Sequence, residues 1–227
     1  MRVLRVLLVV LLLFTAAQAD FTASPSQRVS VAISTGDVKG LARLLDQDPS
    51  VMNVAGSART LPPIFTLMSV KVDDKILDEV FRHRFDLNQT VDGNTPLTLG
   101  ISSGNLPAVR RLLQAGARTD TKTEMGYTPL YLAVSQAIGG NAAGRDMVRL
   151  LLQEGADPNV LAKNGSPPLA AVVAASAQND ARAAELARVL IQGGAKPDPD
   201  VVIQGKKLKL SAISKPGPKT AAALRAR

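Results

Sequence analysis

The sequence predicts an all-α fold: a solenoid of about five helix-turn-helix repeats joined by hairpin loops, closed by a small C-terminal β-hairpin. Two short motifs recur along the chain, and self-similarity at a regular spacing indicates a repeat architecture. The composition agrees, because hydrophobic residues make up 46% of the chain and aromatic residues only 3%. A core of this kind is aliphatic, and it suits small helices in close contact better than a β-sandwich.

The first motif opens a helix pair. It reads Gly-Asn-Thr-Pro-Leu at 93–97, returns as Gly-Tyr-Thr-Pro-Leu at 126–130, and returns in weaker form as Gly-Ser-Pro-Pro-Leu at 165–169. Threonine before proline caps a helix, and proline in the first turn costs no hydrogen bond because that amide has no helical partner. Each copy therefore predicts the start of a first helix.

The second motif closes a helix pair. It reads Leu-Leu-Gln-Ala-Gly-Ala at 112–117, Leu-Leu-Gln-Glu-Gly-Ala at 151–156 and Leu-Ile-Gln-Gly-Gly-Ala at 190–195. The leucines anchor the second helix in the core, and the glycine supplies the left-handed conformation that ends it. Asp157 and Asn159 then turn the chain into the next hairpin.

Together the two motifs resemble the ankyrin repeat, whose signature opens with G-x-T-P-L and closes with L-L-x-x-G-A-D-x-N. The resemblance covers residues 27–199 and predicts repeats at 27–59, 60–91, 92–123, 124–162 and 163–199. The first two are degenerate; in the second, for example, Pro63-Ile64 stands for Pro-Leu. The leader (1–19), a linker (20–26) and a basic C-terminal hairpin with a flexible tail (200–227) complete the predicted organisation.

The last two full repeats are longer than the third. From the Pro-Leu leucine to the Leu-Leu pair there are 15 residues in repeat three and 21 in repeats four and five. In repeat four the excess includes a loop at 139–141, and in repeat five it reads as a lengthened first helix that ends at Asn179. Neutral elongation at a tolerant turn is favoured, because surface insertions cost little. A ridge formed by both repeats is the alternative.

The first nineteen residues have the pattern of a secretory signal peptide. Arg2 and Arg5 precede an apolar run at 6–14, and Ala17-Gln18-Ala19 is a small-x-small site, so cleavage is expected after Ala19. An uncleaved anchor is the alternative, but the run falls short of the ~20 residues that span a bilayer. The protein is therefore expected to be periplasmic or secreted. Because the chain has no cysteine, a lipoprotein and a disulfide framework are excluded.

The positive charge is concentrated at the C-terminus. Of the 27 basic residues, two lie in the leader and seven after residue 200, which leaves 18 against 19 acidic residues between them. Five lysines of this tail are candidates for an anionic envelope surface, polymer or lipid: Lys206, Lys207, Lys209, Lys215 and Lys219. A merely solvated tail is the alternative. Nucleic acid is not expected as a partner, because the tail has no aromatic residue to stack on bases.

Val201–Ile203 and Leu208–Leu210 flank residues 204–207 and predict a two-stranded hairpin. Beyond it, the prolines and glycine of 215–219 break regular structure, and residues 220–227 are expected to be flexible or weakly helical.

No constellation for catalysis is visible, and an enzyme is not expected. The one histidine, His83, is expected at the end of a second helix without a catalytic partner. Asp73-Asp74 falls where a helix begins, which favours acids, and no calcium-loop spacing follows. Phosphate-binding glycine motifs are missing, so no cofactor, metal or small-molecule substrate is expected.

The resemblance implies a protein partner bound at the hairpin tips and at the exposed side of each first helix, the concave face of the family. By register with the motif, ten candidate residues follow: Asp92, Asn94, Ser102, Glu124, Met125, Tyr127, Ser135, Gln136, Lys163 and Asn164. Met125 and Tyr127 flank Gly126 at a tip, where Tyr127 either contacts the partner or packs along the neighbouring hairpin.

Three functions follow from different classes. The first is an exported adaptor or inhibitor (immunity-type) protein that is monomeric alone and binds another envelope protein. The second is an envelope tether that uses the basic tail, and the third, which is not favoured, is an enzyme.

Overall fold

The computed structural model describes residues 23–56 and 60–225, so the predicted leader and Arg227 lie outside the described residues. Within those ranges the chain forms twelve α-helices, one 3₁₀ helix and one two-stranded antiparallel sheet. The elements are α1 Pro25–Thr35, α2 Val38–Gln47, the 3₁₀ helix Pro49–Asn53, α3 Pro63–Ser69, α4 Asp74–Phe81, α5 Pro96–Ser102, α6 Leu106–Gln114, α7 Pro129–Ile138, α8 Ala142–Gln153, α9 Pro168–Ala175, α10 Asp180–Gln192, β1 Asp200–Ile203, β2 Lys206–Lys209, α11 Leu210–Ile213 and α12 Pro218–Arg225. The predicted helical repeat fold with a C-terminal hairpin is confirmed.

The chain divides into two compact units. In the part that the structure describes, the first consists of residues 23–56 and 60–67 with Val72–Asp86. In it α1 packs on α2, and α2 packs on α4, around aliphatic side chains that include Ile33 and Leu41. Asp73 accepts a hydrogen bond from the amide of Lys75 and so caps α4, as expected for an acid at a helix start.

The second unit consists, in its described part, of Met68–Lys71 with residues 87–225. Here the pairs α5/α6, α7/α8 and α9/α10 stack in chain order, first helix on first helix and second on second. The motif leucines form the core of this stack and are fully buried: Leu97, Leu112, Leu130, Leu151, Leu169 and Leu190 are at most 1% exposed. Each pair therefore buries its apolar face against its neighbours, which is how a repeat array gains stability.

The helix ends follow the chemistry of the two motifs. Thr95 and Thr128 accept hydrogen bonds from the amides of Thr98 and Tyr131 and cap α5 and α7, whereas Pro167 leaves α9 without a side-chain cap. At the other end, Gly155 adopts a φ of 81°, and the next amide donates back to Leu151 O at 3.0 Å. This left-handed end satisfies a carbonyl that the helix leaves open.

The six extra residues of repeats four and five lengthen helices. In repeat four the first helix has 10 residues against 7 in repeat three, and the second has 12 against 9. In repeat five most of the excess lies in α10, which has 13 residues, while α9 has only 8. The predicted long first helix ending at Asn179 is therefore wrong, because the Asn179 side chain accepts from the amide of Arg182 and starts the second helix.

The two lengthened ends contact each other. The guanidinium of Arg182 in α10 donates to the carbonyl of Ile138 at the end of α7, at 3.1 Å. Arg145 of α8 forms an ion pair with Glu185 of α10. A ridge formed by both repeats, the alternative to neutral elongation, requires contacts of this kind between the lengthened helices.

The C-terminal segment folds as a cap on repeat five. The sheet pairs Val201 with Leu208 and Ile203 with Lys206 around a turn at Gln204 and Gly205, which is shorter than the predicted connection at 204–207. Val201 and Leu210 are buried against Val173 of α9, and α12 packs on α10.

Residues 220–227 were expected to be flexible or weakly helical. The structure shows the helical alternative for the part that it describes. Residues up to Arg225 are helical, because a carboxylate of repeat five, that of Asp180, binds the start of α12.

Candidate partner-binding surface

The hairpin tips of the second unit lie in a row, because the glycine of each tip touches the next tip. The pairs are Gly93 with Glu124, Gly126 with Lys163, and Gly165 with Val202 of the C-terminal hairpin. A Cβ on Gly126 would lie 2.8 Å from the backbone nitrogen of Lys163, closer than side chains pack. The predicted tips of repeats three, four and five therefore share one edge with the cap. We call residues 92–94, 124–127 and 163–166 the tip row; the C-terminal hairpin, which continues the same edge, is described separately as the cap.

Hydrogen bonds hold the tip of repeat four against that of repeat five. The amide of Lys163 donates to Met125 O at 3.4 Å, and its ammonium group donates to Glu124 O at 3.2 Å. Within the tip, the amide of Gly126 donates to Thr123 O at 2.8 Å. Three of the predicted binding residues, Glu124, Met125 and Lys163, are thus brought together on a backbone that is fixed before any partner arrives.

Met125 projects from this fixed tip into solvent. At 66% exposed it is the most exposed large apolar side chain among residues 23–56 and 60–225. Exposing an apolar methionine side chain to water does not lower the free energy of the folded chain. Its flexible thioether can adapt to the surface of a partner. Hydrogen bonds hold the backbone of the tip while the side chain is adaptable, which suits a binding contact.

Tyr127 packs on its own repeat. Its ring stacks on that of Tyr131, with centroids 4.6 Å apart and an interplanar angle of 16°, and it remains half-buried. Its other edge is open to a partner, but part of the ring is already used in the fold. Tyr131 was missed by the sequence reasoning; it lies in the first turn of α7, four positions after Tyr127, which precedes the Thr128 cap.

Asn164 reaches the buried Tyr131 from the neighbouring tip. Burial raises the pKa of the Tyr131 hydroxyl, while a hydrogen bond with the Asn164 side chain opposes this rise. Asn164 was predicted as a partner contact, and the structure gives its side chain a role between repeats four and five.

The helix-side candidates differ in exposure and in the hydrogen bonds that they form within the fold. Ser102 and Ser135 are exposed at the far ends of α5 and α7, where Ser135 Oγ donates to Tyr131 O at 3.1 Å. Gln136 is engaged at both ends of its amide: it donates to Ser102 O at 3.2 Å and accepts from Asn141 at 3.0 Å. It therefore links repeats three and four.

The tip of repeat three is tightly turned. Asp92 has a φ of 48°, a left-handed conformation that non-glycine residues seldom adopt, and the side-chain amide of Asn94 donates to its carbonyl at 3.1 Å. The carboxylate of Asp92 is exposed. Both residues lie in the tip row, next to Glu124.

The five lysines predicted for an anionic surface lie on the folded cap. All are exposed. Lys209 pairs with Asp200 at 2.9 Å, and their hydrogen bond raises the pKa of Lys209 and lowers that of Asp200. The charge of Lys209 is therefore compensated locally, while Lys206 and Lys207 extend beside it from the same strand.

The single histidine has carboxylate neighbours that the sequence reasoning did not foresee. His83 Nε2 lies 3.2 Å from Glu79 Oε1 and 3.8 Å from Asp46 Oδ1, and Glu79 also accepts from Arg82. Glu79, four residues before His83 in the helix that ends at Phe81, was the available signal. The arrangement ties α4 to α2 within the first unit.

Two further features concern metal binding and membrane spans in the described part of the chain. No group of three or more histidine, aspartate or glutamate side chains there is placed to hold a metal ion. None of the helices in residues 23–56 and 60–225 has the length and apolar character needed to cross a membrane.

Comparison with known protein families gives one match. Residues 67–162 match the family described as ankyrin repeats (3 copies), which covers repeats three and four and the later part of the predicted second repeat. No curated protein matches the chain. Ankyrin repeats indicate a protein–protein interaction module and are typically non-catalytic. Residues 67–162 are thus identified as ankyrin repeats.

Proposed function

We propose that this protein binds a folded protein partner through the tip row and the adjoining exposed side of the first helices, with Met125 as the central apolar contact. The observation that carries the proposal is the combination of a fixed tip backbone and a side chain that is 66% exposed. A preorganised backbone lowers the entropy cost of association, and an apolar side chain at its centre gains from desolvation.

The charges on the tip row are mixed. Asp92 and Glu124 are acidic and Lys163 is basic, and all three are exposed. A surface of this kind favours recognition by shape and hydrogen bonds over electrostatic steering. The proposed partner is therefore a protein whose surface is complementary in shape to the tip row. In this proposal the chain binds it as a monomer.

We further propose that the chain is exported, loses its leader after Ala19, and acts in the periplasm on another envelope protein. Mass analysis of the chain recovered from the envelope of its own cells tests this. A chain that begins at Asp20 supports export with cleavage, and an intact N-terminus in the cytoplasm contradicts it.

The binding proposal is tested by capture with the chain from Asp20 and two matched variants. Met125→Asp places a charge at the centre of the tip row and should lower affinity for the captured partner at least about 30-fold, as for a binding hot spot. Val31→Asp is the control, because Val31 is also exposed, at 60%, but lies in the first unit. Equal binding by both variants and the unchanged chain would refute the assigned face.

The same complex separates the two roles left open. If the partner is an enzyme or a toxin and its activity is abolished at one-to-one stoichiometry, the protein is an inhibitor. If its activity or lifetime is kept or increased, the protein is an adaptor. Size-exclusion chromatography of the chain alone checks the monomer.

A further inference from the structure

The C-terminal cap exposes large apolar side chains. Ile203, Leu208 and Ile213 are 43%, 39% and 41% exposed, and they are three of the seven exposed large hydrophobic residues in the described chain. The other four are spread over residues 31–125. Single exposed apolar residues are ordinary, but a concentration of this kind marks an interaction surface.

Strand pairing places two of them on one face. Val201 is opposite Leu208 and Ile203 is opposite Lys206, and side chains alternate between faces along a strand, so Val201, Ile203, Leu208 and Lys206 share a face. Val201 is buried against Val173 at the inner end of this face. Ile203 and Leu208 continue the apolar surface outward beyond the core.

The same segment carries the positive charge of the chain. Residues 201–225 contain six basic residues and no acidic one. Lys209 is compensated by Asp200, but Lys206, Lys207 and Lys215 form no ion pair within the described residues. Of these lysines, Lys206 lies on the same face of the hairpin as Ile203 and Leu208, and Lys207 projects from the other face.

The surface is held in place by the repeats. The amide of Val202 donates to Gly165 O at 2.9 Å, and the amide of Leu210 donates to Pro199 O at 3.1 Å. The apolar and basic side chains are therefore presented together on a folded hairpin rather than on a loose tail. Lysine charge alone would suit any polyanion, whereas isoleucine and leucine gain free energy only where they leave water.

We propose that the cap is a docking surface for an anionic phospholipid membrane. Ile203 and Leu208 enter the boundary between headgroups and acyl chains, Lys206 on the same face binds the anionic headgroups, and Lys207 and Lys215 add attraction to the anionic surface from nearby positions. Membrane binding at an interface depends on buried apolar area together with attraction to anionic lipid, and the cap offers both. This surface is separate from Met125 and is independent of the proposed partner.

Sedimentation with vesicles tests the proposal, using the chain from Asp20, which keeps every described residue. Binding is expected to vesicles of phosphatidylcholine with 30% phosphatidylglycerol, but not to phosphatidylcholine alone. Lys206→Gln with Lys207→Gln should weaken binding about 25-fold, at about fivefold per lysine, and reduce its dependence on salt. Ile203→Ser with Leu208→Ser should weaken it at least about fivefold.

Matched controls come from the first unit. Val31→Ser with Val54→Ser removes apolar side chains that are 60% and 54% exposed, and Lys39→Gln with Lys75→Gln removes two exposed lysines. Both should bind vesicles like the unchanged chain. Circular dichroism confirms that each variant is folded before its binding is compared.

Two outcomes overturn the proposal. Failure of the unchanged chain to bind anionic vesicles at low salt excludes a lipid surface. If the isoleucine and leucine variant binds as well as the unchanged chain while the lysine variant does not, the cap is a charge surface that an anionic polymer satisfies equally. Binding to an immobilised polyphosphate should in that case match binding to vesicles.

Discussion

Asp180 and Thr220 form the joint between repeat five and the C-terminal cap. The Asp180 carboxylate accepts from the Thr220 hydroxyl at 2.7 Å and from the Thr220 amide at 2.9 Å, and it also accepts from the Lys219 amide at 2.7 Å. Asp180 is the first residue of α10, and the amides belong to the first turn of α12. The Asp180 carboxylate, in the first turn of α10, thus caps the start of the neighbouring helix α12.

This joint should make the stability of the cap depend on pH. Partial desolvation of the Asp180 carboxyl acts to raise its pKa, but the hydrogen bonds from Thr220 and from the amides outweigh it, and the pKa is lowered. Its contribution is therefore full above the unfolded pKa of about 3.9 and is lost as pH falls through the lower folded pKa. Asp180→Asn should lower Tm at pH 7 and converge with the unchanged chain in acid, whereas Asp146→Asn should change Tm little at either pH.

Two glycine substitutions should separate backbone strain from steric contact. Gly126 and Gly155 both have positive φ, 74° and 81°, so alanine at either should cost about 1–2 kcal/mol through its left-handed conformation. A Cβ on Gly155 meets nothing within 4 Å, whereas one on Gly126 meets the backbone of Lys163. Chemical denaturation should therefore show Gly126→Ala to be the more destabilising. Equal losses would mean that the tips are not in contact.

The two residues that flank Gly126 should differ in their effect on stability. Met125→Ser should change the unfolding free energy by less than about 0.5 kcal/mol, because the side chain is exposed. Tyr127→Ala removes the stack on Tyr131 and should cost at least about 0.5–1.5 kcal/mol. Thermal unfolding followed by circular dichroism measures both. A loss of binding by Met125→Ser then reports the surface alone, whereas the tyrosine variant mixes two effects.

The hydroxyl of the buried Tyr131 should titrate at a higher pH than that of an exposed tyrosine. The chain has two tyrosines, so Tyr127→Phe leaves Tyr131 as the sole phenol. Burial raises its pKa, and ultraviolet titration of that variant should therefore place its midpoint above about 10. Adding Asn164→Ala removes a hydrogen bond that lowers the pKa, so the midpoint should rise further. An unchanged midpoint would show that the Asn164 side chain does not bond to the Tyr131 hydroxyl.

Glu79 should stabilise the first unit through its two basic neighbours. Its side chain is 8% exposed and contacts Arg82 and His83. Glu79→Ala removes the acceptor of both and should destabilise the chain by about 1–3 kcal/mol in urea denaturation. Glu154→Ala, at an exposed helix end, is the control and should change stability little.

Local chemistry explains which elements could be predicted. The starts at Pro96, Pro129 and Pro168 follow from side chains within one turn of each helix, and so does the glycine at the end of each second helix. The mistaken long first helix in repeat five arose at Asn179, because asparagine can end one helix or cap the next. Only the packed structure distinguishes the two.

Long-range contacts explain most of what could not be predicted. The short basic segment after Gly217 has weak helical signals of its own, and the carboxylate that orders it lies about forty positions earlier. Likewise, the link from Gln136 to Ser102 spans 34 positions and removes Gln136 from the free surface. Register with the motif assigned Gln136 to the predicted face without showing that its side chain was already engaged.

The contacts of the cap limit how the repeat array can change during evolution. Val202 binds Gly165 and Thr220 binds Asp180, so both ends of the cap recognise repeat five specifically. A duplicated repeat inserted after residue 195 would separate these pairs and leave Val173 uncovered. One inserted at the boundary near residue 162 would preserve them. Repeat five and the cap are therefore expected to be inherited as one piece, with repeats gained or lost only upstream of it.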